Sequence, residues 1–224
     1  MIKLIYLIQK LKFVISYIKG NEFNETKYLK QVLTDDSIVV DVGSNLGSFI
    51  KMIKSINKNT FVHSIEPNLE ILNIQKKKLK KLNNIFFHNI AISNKNEFTK
   101  FYVTKNPSNS TLNLDLKNPL YHLENTVDIE TFTLSKFISE NLIDEITILK
   151  LDTEGHDLLI IENSIVFLLS KVRIFKIECN FESALKIFSI CNSNNLEILG
   201  FNNLFHYQNK FFMTDLYILN KNFH

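Results

Sequence analysis

A short apolar strand that leads directly into a turn with two glycines is the feature that most constrains the fold of this chain. The strand pattern covers residues 38–42, the glycines are Gly43 and Gly47, and a helical pattern follows. A second apolar strand, at 61–65, ends in Glu66, about twenty residues beyond the turn. This order is typical of a nucleoside-binding βαβ unit, in which glycines let the backbone approach the ligand and an acidic side chain binds the ribose hydroxyls.

The spacing of the two glycines indicates which nucleoside the turn binds. A pyrophosphate group, as in NAD, needs the tighter G-x-G-x-x-G turn and a bare helix N-terminus. Here the spacing is G-x-x-x-G, Ser44 and Asn45 fill the space, and Asp41 could face a positive group. The pattern therefore predicts S-adenosylmethionine, a nucleoside with a cationic tail, rather than NAD. The alternative is a plain strand-to-helix turn in which Ser44 or Asn45 caps the helix.

Composition and charge argue against several classes of protein. Of the 224 residues, 45% are hydrophobic, which is enough for one large core. The net charge of +3 is too small to indicate a nucleic-acid-binding protein. The two cysteines, Cys179 and Cys191, form neither a disulfide framework nor a zinc-binding spacing, which is consistent with a reducing compartment. We therefore expect a cytoplasmic protein.

Residues 1–19 have the pattern of an amphipathic helix. The apolar positions recur at steps of three and four residues: Leu4, Leu7, Ile8, Leu11, Val14, Ile15 and Ile18. Because Lys10 and Lys12 interrupt the apolar runs, the segment is neither a signal peptide nor a membrane span. The helix either docks on a membrane surface or a partner, or packs on its own domain or on a second copy of the chain. We divide the chain into an N-terminal helix and linker, 1–34, and a cofactor-binding domain, 35–224.

From Asp35 onward, strand and helix patterns alternate along the chain. The predicted strands are 38–42, 61–65, 85–89, 97–104, 127–132, 146–151, 173–178, 196–200, 204–207 and 214–219. The predicted helices are 45–56, 69–82, 134–141, 156–169 and 182–194, and 105–126 is a long polar loop. Short apolar strands that alternate with helices predict an α/β fold: a doubly wound, mostly parallel central sheet of about seven strands. The strand-rich tail predicts antiparallel strands at the C-terminal edge.

A second group of polar residues follows the apolar strand 146–151. Its members are Asp152, Glu154, His156 and Asp157, and Glu178 ends the next strand. Because ligands of open α/β sheets bind at the carboxyl ends of the strands, we expect this group to meet the reacting part of the substrate. Asp157 also suits the first turn of a helix, so that plain capping remains the alternative for this residue.

Four segments occur in an informative order: Val-Asp-Val-Gly-Ser-Asn-Leu-Gly at 40–47, Glu-Pro-Asn at 66–68, Asn-Ile-Ala-Ile-Ser at 89–93 and Leu-Lys-Leu-Asp-Thr-Glu-Gly-His-Asp at 149–157. In this combination they resemble the FkbM family of S-adenosylmethionine-dependent methyltransferases. The likeness covers about residues 35–180, and the Asp-x-Glu-Gly motif is its most specific part. One departure is Asp157, where a glutamate is usual. The resemblance implies an O-methyltransferase that acts on a sugar hydroxyl of a glycan or glycan precursor.

The resemblance also assigns residues to the cofactor. Those that would contact its methionine and ribose parts are Asp41, Gly43, Ser44, Asn45, Gly47 and the ribose-binding acid Glu66. Those that would lie beside the adenine are Asn68, Asn89 and Ala91. Ser110 and Thr111 resemble a polar pair in a loop that closes near the cofactor, for which a solvated loop is the alternative.

Methyl transfer to an alcohol needs in-line placement and loss of the hydroxyl proton. His156 is the first candidate for the base because its ordinary pKa lies near neutrality. Asp152, Glu154 and Glu178, in this order, are further candidates if burial raises a carboxyl pKa. The three acids could also hold a divalent cation. Because the sequence does not bring them to one centre, we assign no metal.

Two other functions remain as alternatives. Lysines at 76–78, 80 and 81 suggest a nucleic-acid methyltransferase, but they fall on the polar face of the predicted helix 69–82, and no Asn-Pro-Pro-Tyr-like motif is present. The other is a non-catalytic adapter that docks through 1–19, against which the complete glycine turn and acid group argue. We expect a sugar-containing acceptor, no nucleic-acid partner and no membrane span, and we leave homo-oligomer formation open.

Overall fold

The structure is a computed structural model that describes residues 23–106, 110–112, 122–207 and 210–223. The amphipathic helix predicted at 1–19 and most of the polar loop predicted at 105–126 lie outside these residues. Within the described part of the chain, no helix is long and apolar enough to cross a lipid bilayer.

Helices and strands alternate through most of the described chain. The helices are α1 (Glu25–Val32), α2 (Ser48–Ile56), α3 (Leu69–Leu79), α4 (Leu134–Glu140), α5 (Asp157–Leu168) and α6 (Phe181–Ser193). The strands are β1 (Ile38–Val42), β2 (Phe61–Ile65), β3 (Ile85–His88), β4 (Ala91–Ile92), β5 (Glu97–Thr104), β6 (Leu123–Phe132), β7 (Ile146–Leu151), β8 (Val172–Cys179), β9 (Leu196–Tyr207) and β10 (Lys210–Asn220).

Seven strands form the main sheet in the order β3-β2-β1-β7-β8-β10-β9. The first five run parallel, and β10 is antiparallel to both of its neighbours. The chain moves outward from β1 to β3 and then in the opposite direction from β7. Open α/β sheets bind ligands at the carboxyl ends of the strands where the order reverses in this way. The predicted doubly wound sheet with antiparallel strands at its C-terminal edge is confirmed.

Several element bounds differ from those predicted. Helix α2 begins at Ser48 rather than at residue 45, because Asn45 and Gly47 have positive φ angles that a helix does not admit. Helix α1 lies in the stretch that we assigned as a linker, and β4 was not predicted. The predicted strands 196–200 and 204–207 are one strand, β9, and β6 begins at Leu123 rather than at residue 127.

Apolar side chains bury both faces of the main sheet. On one face, Leu29 of α1 and Ile50 and Ile53 of α2 pack against Val39 and Ile148. On the other face, helices α4 to α6 supply a larger cluster with residues such as Phe137, Ile160 and Ile187. Because both faces of the sheet are covered, nearly every position of β1 and β7 carries an apolar side chain.

One row of residues interrupts the apolar pattern on the face that α1 and α2 cover. Asp41, Lys150, Lys176 and Tyr217 are register partners on four neighbouring strands, and all four are buried. Phe49 of α2 lies above them, with its ring centroid 6.0 Å from the Nζ atom of Lys150 and 5.1 Å from that of Lys176. We call Asp41, Lys150, Lys176 and Tyr217 the polar row.

A smaller sheet of three strands has the order β4-β6-β5. Ala91, Phe101 and Ile129 form its apolar core. Beyond β5, Thr111 returns to pair with Tyr102, with backbone N–O distances of 2.9 and 3.1 Å. This pairing fixes residues 110–112 beside the small sheet.

Candidate active site

Both glycines of the turn after β1 are required by close packing. Gly43 has a φ of +73°, and a Cβ atom there would lie 1.7 Å from the carbonyl oxygen of Asp152. Gly47 has a φ of +78°, and a Cβ atom there would lie 2.8 Å from the Cδ1 atom of Leu79. The turn is held from below, since the N–H groups of Gly43 and Ser44 both donate to the carbonyl oxygen of Ile65, at 3.0 Å.

Glu66 ties the ends of β1 and β2 together. Its carboxylate accepts hydrogen bonds from the backbone N–H groups of Asn45 and Asn68, each at 2.9 Å. Burial raises its pKa to about 7, against these two hydrogen bonds, which lower it. The side-chain amide of Asn89 donates to the carbonyl oxygens of Glu66 and Pro67, at 3.0 and 2.8 Å. The predicted ribose-binding acid is therefore held by the backbone on both sides.

Two of the predicted cofactor residues, Ser44 and Asn68, use their side chains for hydrogen bonds within the protein. The hydroxyl of Ser44 is buried and bonds to Ser64 at 2.8 Å and to Gln75 at 2.9 Å. The side chain of Asn68 accepts the first N–H groups of α3 and so acts as its N-cap. These contacts point both side chains toward the protein rather than toward the cleft.

A cleft of about 220 Å³ opens at the carboxyl ends of β1, β2, β7 and β8. The predicted residues that line it are Gly43, Asn45, Glu66, Ala91, Ser110, Asp152, Glu154 and Glu178. The lining residues that the sequence analysis missed are Val42, Ile65, Pro67, Ile92, Phe101, Leu112 and Thr153. Most of these residues are apolar, and the sequence pattern does not distinguish an apolar residue that lines a cleft from one that lies in the core.

Three carboxyl groups meet in the cleft. Asp152, Glu154 and Glu178 bring one oxygen atom each to within 4.8 Å of the others, and Asp152 and Glu178 share a hydrogen bond. We call these three residues the acid cluster. A divalent cation could bind between three such carboxyl groups. A proton shared between two of them also explains why they lie so close together.

The three acids differ in their affinity for protons. Burial, followed by the negative charge of Asp152, raises the pKa of Glu178 to about 10. Burial, followed by the charges of Asp152 and Asp157, raises the pKa of Glu154 to about 7. Burial acts to raise the pKa of Asp152, but the charge of Lys150 and the hydrogen bonds from Glu178 and Lys150 together outweigh it, and the pKa is lowered. At neutral pH, Asp152 is ionised, Glu178 is protonated, and Glu154 is divided between both forms.

The loop that follows β7 holds Glu154 in a constrained position. Glu154 has a φ of +54°, an unusual value for a residue with a side chain. The hydroxyl of Thr111 donates to its carbonyl oxygen at 3.1 Å. Asp157 is buried and accepts from the N–H and the hydroxyl of Thr153, at 2.9 and 2.8 Å. Asp157 lies in the first turn of α5, as the capping alternative expected, and its carboxylate closes the preceding loop through Thr153.

His156 does not line the cleft. It is the N-cap residue of α5, and its side chain makes no capping hydrogen bond. Burial lowers the pKa of the imidazole, so that it is neutral at pH 7.

Lys150 is a site residue that the sequence analysis did not name. Its Nζ atom lies 3.1 Å from Oδ1 of Asp41 and 3.0 Å from Oδ2 of Asp152. The positive group that faces Asp41 is therefore this lysine. Asp41 is fully buried beneath the cleft, and burial raises its pKa although the charge of Lys150 opposes the shift. The available signal was a lysine within an otherwise apolar strand, two residues before an aspartate.

The sequence of residues 41–210 matches the sequence model of the methyltransferase FkbM domain. The chain belongs to the FkbM methyltransferase family. The resemblance drawn from the four sequence segments is confirmed. No curated protein matches the chain.

Solved structures of methyltransferases share the fold. The FkbM methyltransferase from Methylobacillus flagellatus KT is 16% identical with a TM-score of 0.57, over 83% of this chain and 44% of that one. An rRNA methylase from Streptococcus thermophilus is 11% identical with a TM-score of 0.52, over 87% and 93%. TrmK from M. capricolum, bound to S-adenosylhomocysteine, is 13% identical with a TM-score of 0.50, over 89% and 69%.

The match to the FkbM family identifies an S-adenosylmethionine-dependent methyltransferase domain, and the predicted cofactor is confirmed. The cleft fits S-adenosylmethionine, because Glu66 places a carboxylate at the end of β2, the position from which such folds bind the ribose hydroxyls of a nucleoside. The chain spans less than half of the length of the FkbM methyltransferase from Methylobacillus flagellatus. At these identities the solved structures establish the fold alone, and they leave the acceptor open.

Proposed function

We propose that this chain transfers the methyl group of S-adenosylmethionine to a hydroxyl group of a sugar, within a glycan or a glycan precursor. The observation that carries this proposal is the acid cluster, whose carboxyl oxygens lie within 4.8 Å of one another beside the cofactor turn. Carboxyl groups bind hydroxyls well, because each oxygen accepts hydrogen bonds and a protonated carboxyl also donates one. The family resemblance gives the same acceptor class.

S-adenosylmethionine supplies a methyl group that its sulfonium already activates. The acceptor oxygen forms a bond to the methyl carbon while the bond from that carbon to sulfur breaks, and the hydroxyl proton passes to a base of the protein. Glu154 suits this role best: it lines the cleft, and its pKa of about 7 lets it accept a proton at neutral pH. The geometry thus favours Glu154 over His156, which comes first by its ordinary pKa alone.

The other two acids act by holding the acceptor. Asp152 is ionised and accepts the proton of Glu178 in their shared hydrogen bond, so that the remaining carboxyl oxygens of both residues accept hydrogen bonds from hydroxyls of the sugar. On the cofactor side, Glu66 binds the ribose, and the backbone at Gly43 and Asn45 lies beside the methionine part. Ala91 and Ser110 contact the adenine side of the cleft.

Charge in the cleft favours an acceptor whose reacting part is an uncharged sugar ring over the phosphate backbone of a nucleic acid. None of the described residues that line the cleft is a lysine or an arginine, whereas nucleic-acid binding depends on cations that contact phosphates. The exposed lysines at 76–78 lie in the last turn of α3. Because α3 starts at the carboxyl end of β2 and leads back to the amino end of β3, these lysines lie at the edge of the sheet away from the cleft.

Methyl-labelled S-adenosylmethionine tests the acceptor. We expect label to appear on oligosaccharides or nucleotide sugars as a base-stable methyl ether, and not on transfer or ribosomal RNA. Labelling of RNA alone would contradict the proposal. Calorimetry with S-adenosylhomocysteine tests the non-catalytic adapter, since an adapter with a vestigial fold would not bind it.

The variant Glu154→Gln tests the base. We expect kcat to fall by about 100- to 10,000-fold, the usual contribution of a general base, while calorimetry gives an unchanged Kd for S-adenosylhomocysteine. In the wild type, kcat/KM should rise with pH up to about 7, as Glu154 loses its proton. Glu162→Gln, an exposed glutamate of α5, is the matched control and should retain full activity. A Glu154→Gln variant with wild-type kcat would exclude this residue as the base.

A further inference from the structure

We propose that Lys150 is a positioning residue, which ties the cofactor turn to the acid cluster and holds Asp152 in place for the acceptor. This inference rests on the proposed function. Lys150 lies in β7, between β1 and β8, and is only 7% exposed. It contacts neither the cofactor nor the acceptor, because it is not among the residues that line the cleft.

The contacts of Lys150 use the whole ammonium group. Its Nζ atom lies 3.1 Å from Asp41, 3.0 Å from Asp152 and 3.3 Å from the carbonyl oxygen of Gly43. An ammonium group has three N–H donors, and three oxygens from three positions surround it. Two of these belong to the strand and turn that carry the cofactor side, and the third belongs to the acid cluster.

The packing around the turn makes this link rigid. The N–H of Asp152 donates to the carbonyl oxygen of Val42 at 3.1 Å. The missing side chain of Gly43 leaves just enough room for the carbonyl oxygen of Asp152. The backbone at Asp152 is therefore fixed against the turn, and Lys150 fixes its carboxylate in addition. A shift of about 1 Å in a group that positions the acceptor can lower a rate by about 100-fold.

Stability alone does not call for a lysine at this position. Replacing a buried ion pair by apolar residues of similar size is often neutral or stabilising. A leucine or methionine at 150, with an apolar residue at 41, would continue the apolar runs of β7 and β1. What the ion pair adds is a fixed charge next to Asp152, at the point where the acceptor hydroxyl would bind.

The test uses Lys150→Met together with Asp41→Asn. The single variant leaves Asp41 as a buried charge without its partner, which destabilises the fold. The double variant removes the charges of both Lys150 and Asp41 and should fold, with a cooperative thermal transition. We expect its kcat to fall by about 10- to 100-fold and the KM of the acceptor to rise, while the Kd of S-adenosylhomocysteine changes by less than about fivefold.

Lys176→Met with Glu25→Gln is the matched control. It removes a second buried lysine of the polar row and one carboxylate partner, but neither residue forms an ion pair with Asp152 or a hydrogen bond to the turn. Its kcat should stay within about threefold of the wild type.

A folded double variant at 41 and 150 with wild-type kcat would overturn the inference. So would a double variant that does not fold, because Lys150 would then be needed by the fold itself. Failure of the proposed function has a different signature, in which the wild type labels no sugar.

Discussion

Lys150 and Lys176 are two buried lysines in nearly the same surroundings. They are register partners on β7 and β8, they are 7% and 5% exposed, and both lie under the ring of Phe49. Each forms two ion pairs. The Nζ atom of Lys176 lies 3.0 Å from Glu25 and 3.0 Å from Asp215, distances that match those around Lys150.

The two lysines differ in what their carboxylates belong to. The partners of Lys150 are at the base of the cleft and within the acid cluster. Those of Lys176 are on β10, the strand next to β8, and on α1, where Glu25 also accepts a hydrogen bond from the hydroxyl of Tyr217. Similar ion pairs thus connect the turn after β1 to the acid cluster in one case and hold a short helix on the sheet in the other. The role of a buried charge is set by the element to which it is connected.

The variant Lys176→Met should show the largest effect that separates the two lysines, a loss of stability without a loss of activity. It leaves Glu25 and Asp215 without their shared cation in a buried position, and removal of one partner of a buried ion pair costs about 3–5 kcal/mol. We expect a fall of this size in the free energy of unfolding, measured in urea. At a temperature where the variant is folded, kcat should remain near the wild-type value. A loss of kcat without a loss of stability would mean that Lys176 also serves the cleft.

The variant Tyr217→Phe should have a smaller effect of the same kind. It removes the hydrogen bond to Glu25 and keeps the ring, which packs against Phe23 in a tilted arrangement with centroids 4.6 Å apart. Hydrogen bonds to charged groups contribute about 1.5–3 kcal/mol. When Tyr217→Phe is combined with Lys176→Met, the loss in the free energy of unfolding should be smaller than the sum of the two single losses, because both side chains bind Glu25. Full additivity in urea unfolding would show that they act separately.

The smallest expected effect concerns a titrating group on the opposite face of the sheet. Burial, followed by the charge of His88, lowers the pKa of His63 to about 4. The unfolded state therefore binds more protons below pH 6.5, and the stability contributed at neutral pH is lost as the pH falls from about 6.5 toward 4. Between pH 7 and 5.5, the wild type should lose about 1 kcal/mol more than His63→Gln.

Unfolding curves at the two pH values check this difference, and His122→Gln, at an exposed histidine, is the control. Equal losses in the wild type and in His63→Gln would mean that the polar row and the acid cluster dominate the acid response. The effect of acid on stability would then not distinguish His63, on one face of the sheet, from the polar row on the other.

Predictions from the sequence succeeded where one local pattern decides the structure. β1, β2 and β7 were predicted with the observed bounds, because apolar runs buried on both faces are unambiguous. Helix α1 was missed, since its eight residues bury only Leu29 and Val32 and owe their position to the contacts of Glu25. β9 was divided in two because two asparagines interrupt its apolar pattern. In the structure the pairing with β10 has a register shift between Asn202 and Phe205 and continues on both sides of it.

The sequence by itself determined most of the strands and helices, the turn after β1, the family and the cofactor, because each of these depends on short segments whose pattern is informative without their spatial neighbours. The tertiary structure alone decided which charges meet. Lys150 is 107 positions from Gly43, and Lys176 is 151 positions from Glu25. Only the register between parallel strands and the docking of α1 bring such residues to hydrogen-bonding distance. Because the pKa of each acid depends on those neighbours, the choice of Glu154 over His156 as the proposed base also required the folded structure.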